Sequence, residues 1–202
     1  FMETFGGKDG LTPNLDRLAT EGLFFANMRA TGTRTVRGLE ALALSVPPTP
    51  GQSMLRRPGS ENRFTLGGVF QDAGYKTAFI YGGHGYFDNM NGFYQSNGYD
   101  KFDQGDMPSV EISFANAWGV SDEDLFVQTI KQADKAQAEG KNFFFTVMTT
   151  SNHRPFTYPD GKIDIPSPGG RNGAVKYSDY AVGQLVKLAA EKPWFKDTVF
   201  VF

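Results

Sequence analysis

Two short apolar runs, TAFIY at 77–81 and NFFFTVM at 142–148, each break off into a loop of glycine, asparagine, serine and histidine. No other feature restricts the fold as much. Runs of this length, rich in aromatic and β-branched residues, read as buried strands. Between them Ser121 and Asp124 form a capping-box-like pair, and Phe126, Ile130, Ala133 and Gln137 trace one helical face that ends at Gly140. Strands alternating with helices predict an α/β fold with a mainly parallel sheet flanked by helices, whose ligands collect outside the carboxyl ends of the strands.

The flanking segments extend the alternation. In LTPNLDRLATEGLFFANM, Thr12 or Asn14 reads as a cap, Pro13 sits in the first turn, and Leu15, Leu18 and Ala19 share a face. Gly22 closes that helix before the strand-like LFFANM. Leu39, Leu42 and Ala43 define a second helix over 36–45, residues 47–63 read as a long proline-rich surface loop, and FTLGGVFQDAGY is a third helix closed by Gly74. Tyr177, Ala181, Leu185 and Leu188 trace a further helix before DTVFVF, an apolar run that stops at the last residue. That ending, and a first residue that is not Met, suggest an internal piece of a longer protein carrying a single partial domain over 1–202.

Composition narrows the chemistry. The 202 residues are 40% hydrophobic, enough for a substantial core, and the formal charge of −2 offers no broad basic field for nucleic acid. There is no cysteine, which removes thiol nucleophiles, thiolate metal sites and disulfides together. No apolar run approaches the roughly 20 residues that span a bilayer.

Three polar clusters follow predicted strands: Thr31 to Arg37, Tyr81 to Asn91 and Thr149 to Phe156. In the first, TGTRTVRG, Thr33 or Thr35 could act as a nucleophile, and Arg34 and Arg37 could neutralise phosphoryl oxygens beside a helix N-terminus. Taken locally, a threonine cap with two solvated arginines explains the same residues more simply. A threonine hydroxyl also needs a base or metal to remove its proton, and none stands in the motif. Both histidines of the chain, His84 and His153, lie in the other two loops, which raises their functional weight. Asp88, Asn89 and Asn91 could cup a cation or polyol, but among so many glycines they read first as turn residues. Trp118 reads as packing for the next helix rather than as a pocket wall.

The ordered motifs LTPNLDRLATEGLFF, TGTRTVRGLEA, YGGHGYFDNMNGFY, WGVSDEDLF and SNHRPF resemble the lipoteichoic acid synthase branch of the sulfatase and alkaline phosphatase superfamily, which includes phosphoglycerol transferases. The resemblance covers nearly the whole chain. It implies an alkaline phosphatase-like fold and a metal-dependent enzyme, usually using manganese, whose threonine attacks a phosphodiester lipid such as phosphatidylglycerol. A glycan or polyol acceptor then discharges the covalent phosphoglycerol. By motif position Thr35 would be that nucleophile and a metal ligand. Arg34, Arg37, His84, Asn89 and His153 would line the substrate pocket, with His153 contacting the head group. Asp88 and Met90 stand where a Trp and an Arg would be expected, so the substrate grip differs. TVRG lacks the C/S-x-P-x-R signature of sulfatases proper. The resemblance further implies metal ligands outside residues 1–202, an inactive isolated piece, and a catalytic domain held by upstream membrane helices on the periplasmic or extracellular face. Hydrolysis by a sulfatase-like phosphodiesterase and a non-catalytic glycan- or headgroup-binding module are the competing readings.

Overall fold

The computed structural model describes residues 1–30 and 32–202, and Thr31 of the first cluster lies outside the described residues. In chain order the strands are β1 (Lys76–Tyr81), β2 (Asp100–Phe102), β3 (Ala115–Asn116), β4 (Gly119–Val120) and β5 (Phe143–Met148). The α-helices are α1 (Pro13–Glu21), α2 (Thr35–Leu44), α3 (Leu66–Asp72), α4 (Met90–Ser96), α5 (Asp122–Ala138) and α6 (Gly170–Ala189). The chain forms two compact units, one of Asn27–Asp106 with Ala136–Met148, the other of Phe1–Ala26, Met107–Lys135 and Thr149–Phe202.

The first of these units holds a parallel sheet in the order β2-β1-β5. Central β1 is buried from Thr77 to Tyr81, as an unbroken apolar run in a parallel sheet should be. Ala78 pairs with Asp100 on one side and Phe145 on the other, and Tyr81 pairs with Met148, so β1 and β5 end side by side. Val36, Leu39 and Ala43 of α2 bury one face against Leu55, Phe79, Met90, Phe93, Tyr94 and Tyr99. Each side chain as fully buried as Phe79 or Phe93 is worth about 1.5–3 kcal/mol. Gly67 of α3 bonds the Tyr99 hydroxyl through its N–H at 2.7 Å, and a Cβ there would lie 2.1 Å from the Tyr99 ring, so only glycine fits. The predicted surface loop at 47–63 is pinned at its middle, where Leu55 is fully buried.

In the other unit α1 packs on α6, and Asp179 of α6 accepts the N–H groups of Asn14 (3.0 Å) and Leu15 (2.8 Å). The helix start is therefore capped from a distant helix and not by Thr12 or Asn14, as the local sequence suggests. Thr12 instead donates its hydroxyl to Asp16 at 2.8 Å. Tyr158 and Tyr177 stack at 5.3 Å and 9° to anchor the second core. Ser121 does accept the Asp124 N–H at 3.2 Å, but the Asp124 carboxylate turns to Ser113 and Phe114, leaving half of the expected capping box.

The predicted strand at LFFANM is absent, and the terminal apolar run forms none either. LFFANM and the terminal TVFVF are irregular and exposed, with Leu23 at 83% and Val199 at 87% accessibility. A strand exists only with a neighbour to bond, and among the described residues neither segment has one. The first polar cluster consequently does not follow a strand. Three expected core positions, Leu42, Gln137 and Leu188, face outward, while Glu40 and Ala136 are buried, a drift of the helical faces by one position. No described helix is long and apolar enough to cross a membrane.

Candidate active site

Burial of Val36 and Leu39 fixes the rotation of α2 and turns its first residue, Thr35, to solvent. Arg34, extended at φ −119° and ψ 150°, is the N-cap and contributes no side-chain cap. The first helical bond is made by the Arg37 N–H to the Arg34 carbonyl at 2.9 Å, so the N–H groups of Thr35 and Val36 lie ahead of the ladder. A hydroxyl thus sits at the positive end of a helix dipole with an exposed arginine beside it, an environment that favours an anion.

Arg37 is differently placed from Arg34. Its guanidinium donates to Glu40 at 2.7 Å and to the Gly51 carbonyl. Glu40 is fully buried and also accepts the Ser53 hydroxyl (2.8 Å) and the Met54 N–H (2.6 Å). Burial pushes this carboxyl up, but the bonds from Arg37, Met54 and Ser53 outweigh it and hold the group below its ordinary value of 4.5. The stability it confers is present above that value and is lost as pH falls through the lower folded value. Glu40→Ala leaves the Arg37 guanidinium without its partner and should cost roughly 3 kcal/mol in urea unfolding. Arg37 therefore ties α2 to the 51–56 loop, while Arg34 keeps its charge exposed.

The loop after β1 turns tightly. Gly82 and Gly83 are buried, and His84 emerges exposed, stacked on Tyr86 at 5.7 Å. Asp88 and Asn89 both adopt left-handed backbone, at φ 53° and 58°. Asn89 donates to the Leu55 carbonyl at 2.7 Å, Asp88 pairs with Arg56 at 3.3 Å, and Asn91 donates to buried Asp103 at 2.7 Å. Asp103 also accepts the Gly85 and Gly105 N–H groups at 2.8 and 2.9 Å. These residues shape the turn, so the Asn89 side chain is already engaged by the fold.

The loop after β5 is held by Asp122, at the start of α5. One carboxylate oxygen accepts the N–H groups of Thr150 (3.0 Å) and Ser151 (2.9 Å), and the other accepts the Ser178 hydroxyl at 2.8 Å. Thr150 donates its own hydroxyl to the Val120 carbonyl at 2.7 Å. On that frame His153 is exposed, and the ring of Trp118 lies 3.8 Å from its own. Trp118, expected to pack on the following helix, also lies against this histidine.

Arg34, Thr35, Arg37, His84 and Asn89 thus belong to the sheet-bearing unit and His153 to the other. Sequence reasoning passed over the buried acids Glu40, Asp103 and Asp122. Only Asp122 left a trace, as the first of three acids after a serine cap. Among the described residues no three His, Asp or Glu side chains gather to hold a metal ion. Thr35 offers one oxygen and Glu40 is spent on Arg37, so these residues alone do not make a divalent-ion site.

The Sulfatase family model matches residues 1–202. Phosphoglycerol transferase I of Salmonella arizonae is 28% identical over 210 residues, covering 95% of this chain and 27% of the relative. A solved protein of the alkaline phosphatase superfamily from Vibrio parahaemolyticus is 41% identical with a TM-score of 0.91, over 97% of this chain and 48% of that one. The lipoteichoic acid synthase LtaP of Listeria monocytogenes shares the fold at a TM-score of 0.79 and 22% identity, over 90% of this chain and 46% of that one. The chain spans about a quarter of the length of the curated relatives it matches and about half of these solved structures. A family model matched from the first residue to the last, on an alkaline phosphatase-like fold, means that the chain belongs to the sulfatase family.

Proposed function

We propose that the whole protein is a phosphoglycerol transferase and that Thr35 is its nucleophile. The observation that carries the reading is the exposed Thr35 hydroxyl at the open N-terminus of α2, next to the exposed Arg34. The Salmonella relatives named phosphoglycerol transferase I support the choice of transferred group. In the first step Thr35 Oγ1 attacks the phosphorus of a lipid phosphodiester. The bond to the lipid alkoxide breaks, and the threonine proton ends on that leaving oxygen. In the second step a glycan or polyol hydroxyl attacks the same phosphorus, takes the phosphoglycerol and returns the proton to Thr35. Arg34 and the open N–H groups of α2 balance the charge that gathers on the equatorial oxygens in both steps. By the family resemblance, His84 and His153 are each a head-group contact of the whole protein, and Arg37 holds α2 in place.

By the family resemblance the whole protein would use a divalent ion, manganese, which Thr35 would hold through one oxygen together with ligands outside residues 1–202. Bound there, it would supply Lewis-acid activation of the hydroxyl. The catalytic domain works on the outer face of the cytoplasmic membrane, anchored by segments outside this chain.

The test is a single-turnover reaction of the full-length protein with phosphatidylglycerol, followed by peptide mass spectrometry. The expected result is one phosphoglycerol adduct, on Thr35, that disappears when a glucan acceptor is added and reappears on the glucan. An adduct discharged equally well to water marks a hydrolase, and no adduct on Thr35 removes the proposal.

A further inference from the structure

Trp118 stands at the tip of the β3–β4 hairpin, with its indole 3.8 Å from the His153 ring at a tilt of 37°. Both rings are mounted on the start of α5. On the hairpin side, Asp124 accepts the N–H groups of Ser113 (2.9 Å) and Phe114 (3.2 Å), and the Ser121 N–H bonds the Phe114 carbonyl at 2.9 Å. On the loop side, Asp122 holds Thr150 and Ser151, as described above. The Asn116 side chain joins the two, accepting the Trp118 N–H at 2.8 Å and donating to the Thr157 hydroxyl at 3.0 Å. A tryptophan used only as a staple for the next helix would not need its turn bonded to the histidine loop.

The second constraint on His153 is at Nδ1, which lies 3.0 Å from the Arg154 carbonyl oxygen. A carbonyl has no proton to give, so Nδ1 carries the hydrogen and donates it. In the Nδ1–H tautomer that this bond favours, Nε2 is a bare acceptor. An acceptor nitrogen selects a hydroxyl donor and not a phosphate oxygen.

We propose that Trp118 is a positioning residue that fixes the plane of His153, and that the imidazole so held reads a hydroxyl of the glycerol group through Nε2. This rests on the reading of His153 as a head-group contact. It adds the residue that aims the ring, the tautomer it holds and the part of the ligand it recognises.

The chain has only two histidines, so selective 13C and 15N histidine labelling gives two ring systems, and His84→Gln assigns them. The expected wild-type spectrum shows His153 as the Nδ1–H tautomer with an upfield ring-current shift from the indole. Trp118→Leu should remove that shift and mix the tautomers, while Trp118→Phe, which keeps an aromatic face, should retain part of both. If Trp118→Leu does not fold, Trp118→Phe carries the comparison by a reduced shift. In the full-length protein Trp118→Leu should raise KM for the phosphoglycerol donor about tenfold, what one well-aligned hydrogen bond is worth, with kcat little changed. An Nε2–H tautomer in the wild type, or a variant with unaltered spectrum and KM, overturns the proposal. A full-length protein that transfers nothing defeats the function reading alone, because the spectra still decide the positioning role.

Discussion

Thr35→Ala in the full-length protein should lower phosphodiester turnover by at least roughly 10³-fold while leaving the fold as stable as before, since the covalent route is lost and only binding remains. The contrast is built into the site. Thr35 is exposed and occupies the first position of α2, where the N-cap Arg34 makes no side-chain bond. Alanine is the better helix former by about half a kcal/mol, so thermal unfolding should be unchanged or slightly higher. Loss of activity with an unaltered melt therefore assigns chemistry to the hydroxyl. Thr35→Ser keeps an oxygen at the same place and should retain a measurable part of the rate. Full activity in the alanine variant would defeat the nucleophile reading. The neighbouring pair extends the argument: Arg34→Ala should weaken turnover without touching the melt, whereas removing Glu40, the partner of Arg37, should act through stability.

Two strands of the sheet were legible because their signal is local, while β2 (Asp100–Phe102) lay in what read as a loop. The apolar runs at 77–81 and 142–148 became parallel neighbours, and the glycine-bounded helices fell where periodicity put them. The same criterion failed for LFFANM and TVFVF, since composition reports willingness to form a strand and not the presence of a partner. The candidate site was legible only in part. Thr35 and the two histidines stand out as reactive groups in loops, but spacing alone could not choose Thr35 over Thr33. What holds these groups in place was hidden, because Asp and Glu read as surface residues until the fold brings amides to them. Glu40 depends on amides and hydroxyls 13 and 14 residues away, and Asp122 on groups 28, 29 and 56 residues away. Trp118 belongs with them: its place on His153 follows from the Asn116 bridge to Thr157, which nothing in WGVSDEDLF announces.

Asp122 provides the sharpest test of that hidden framework, because alanine and asparagine should behave oppositely. The residue is fully buried, and the Thr150 and Ser151 amides it accepts are buried with it. Asp122→Ala leaves both amides without an acceptor, at about 1–3 kcal/mol each, so a total loss near 3 kcal/mol is expected. For a chain of this size that lowers Tm by about 6–12 °C. Asp122→Asn preserves the geometry: its carbonyl oxygen takes the place of the oxygen that accepts both amides, and its NH₂ faces the Ser178 hydroxyl, which rotates from donor to acceptor. The asparagine also removes a charge that burial disfavours. Burial raises the Asp122 carboxyl above its ordinary 3.8 in spite of the bonds from Ser151, Ser178 and Thr150. As pH climbs past 3.8 the unfolded chain releases this proton first, so the wild type loses stability until the raised folded value is passed, and stays lower above it. The asparagine variant has no such loss. Its stability relative to wild type should therefore grow in melts run from about pH 4 to about pH 7. A variant that gained as pH fell would mean that the carboxylate is stabilised in place, and that its amide bonds outweigh the cost of burying it.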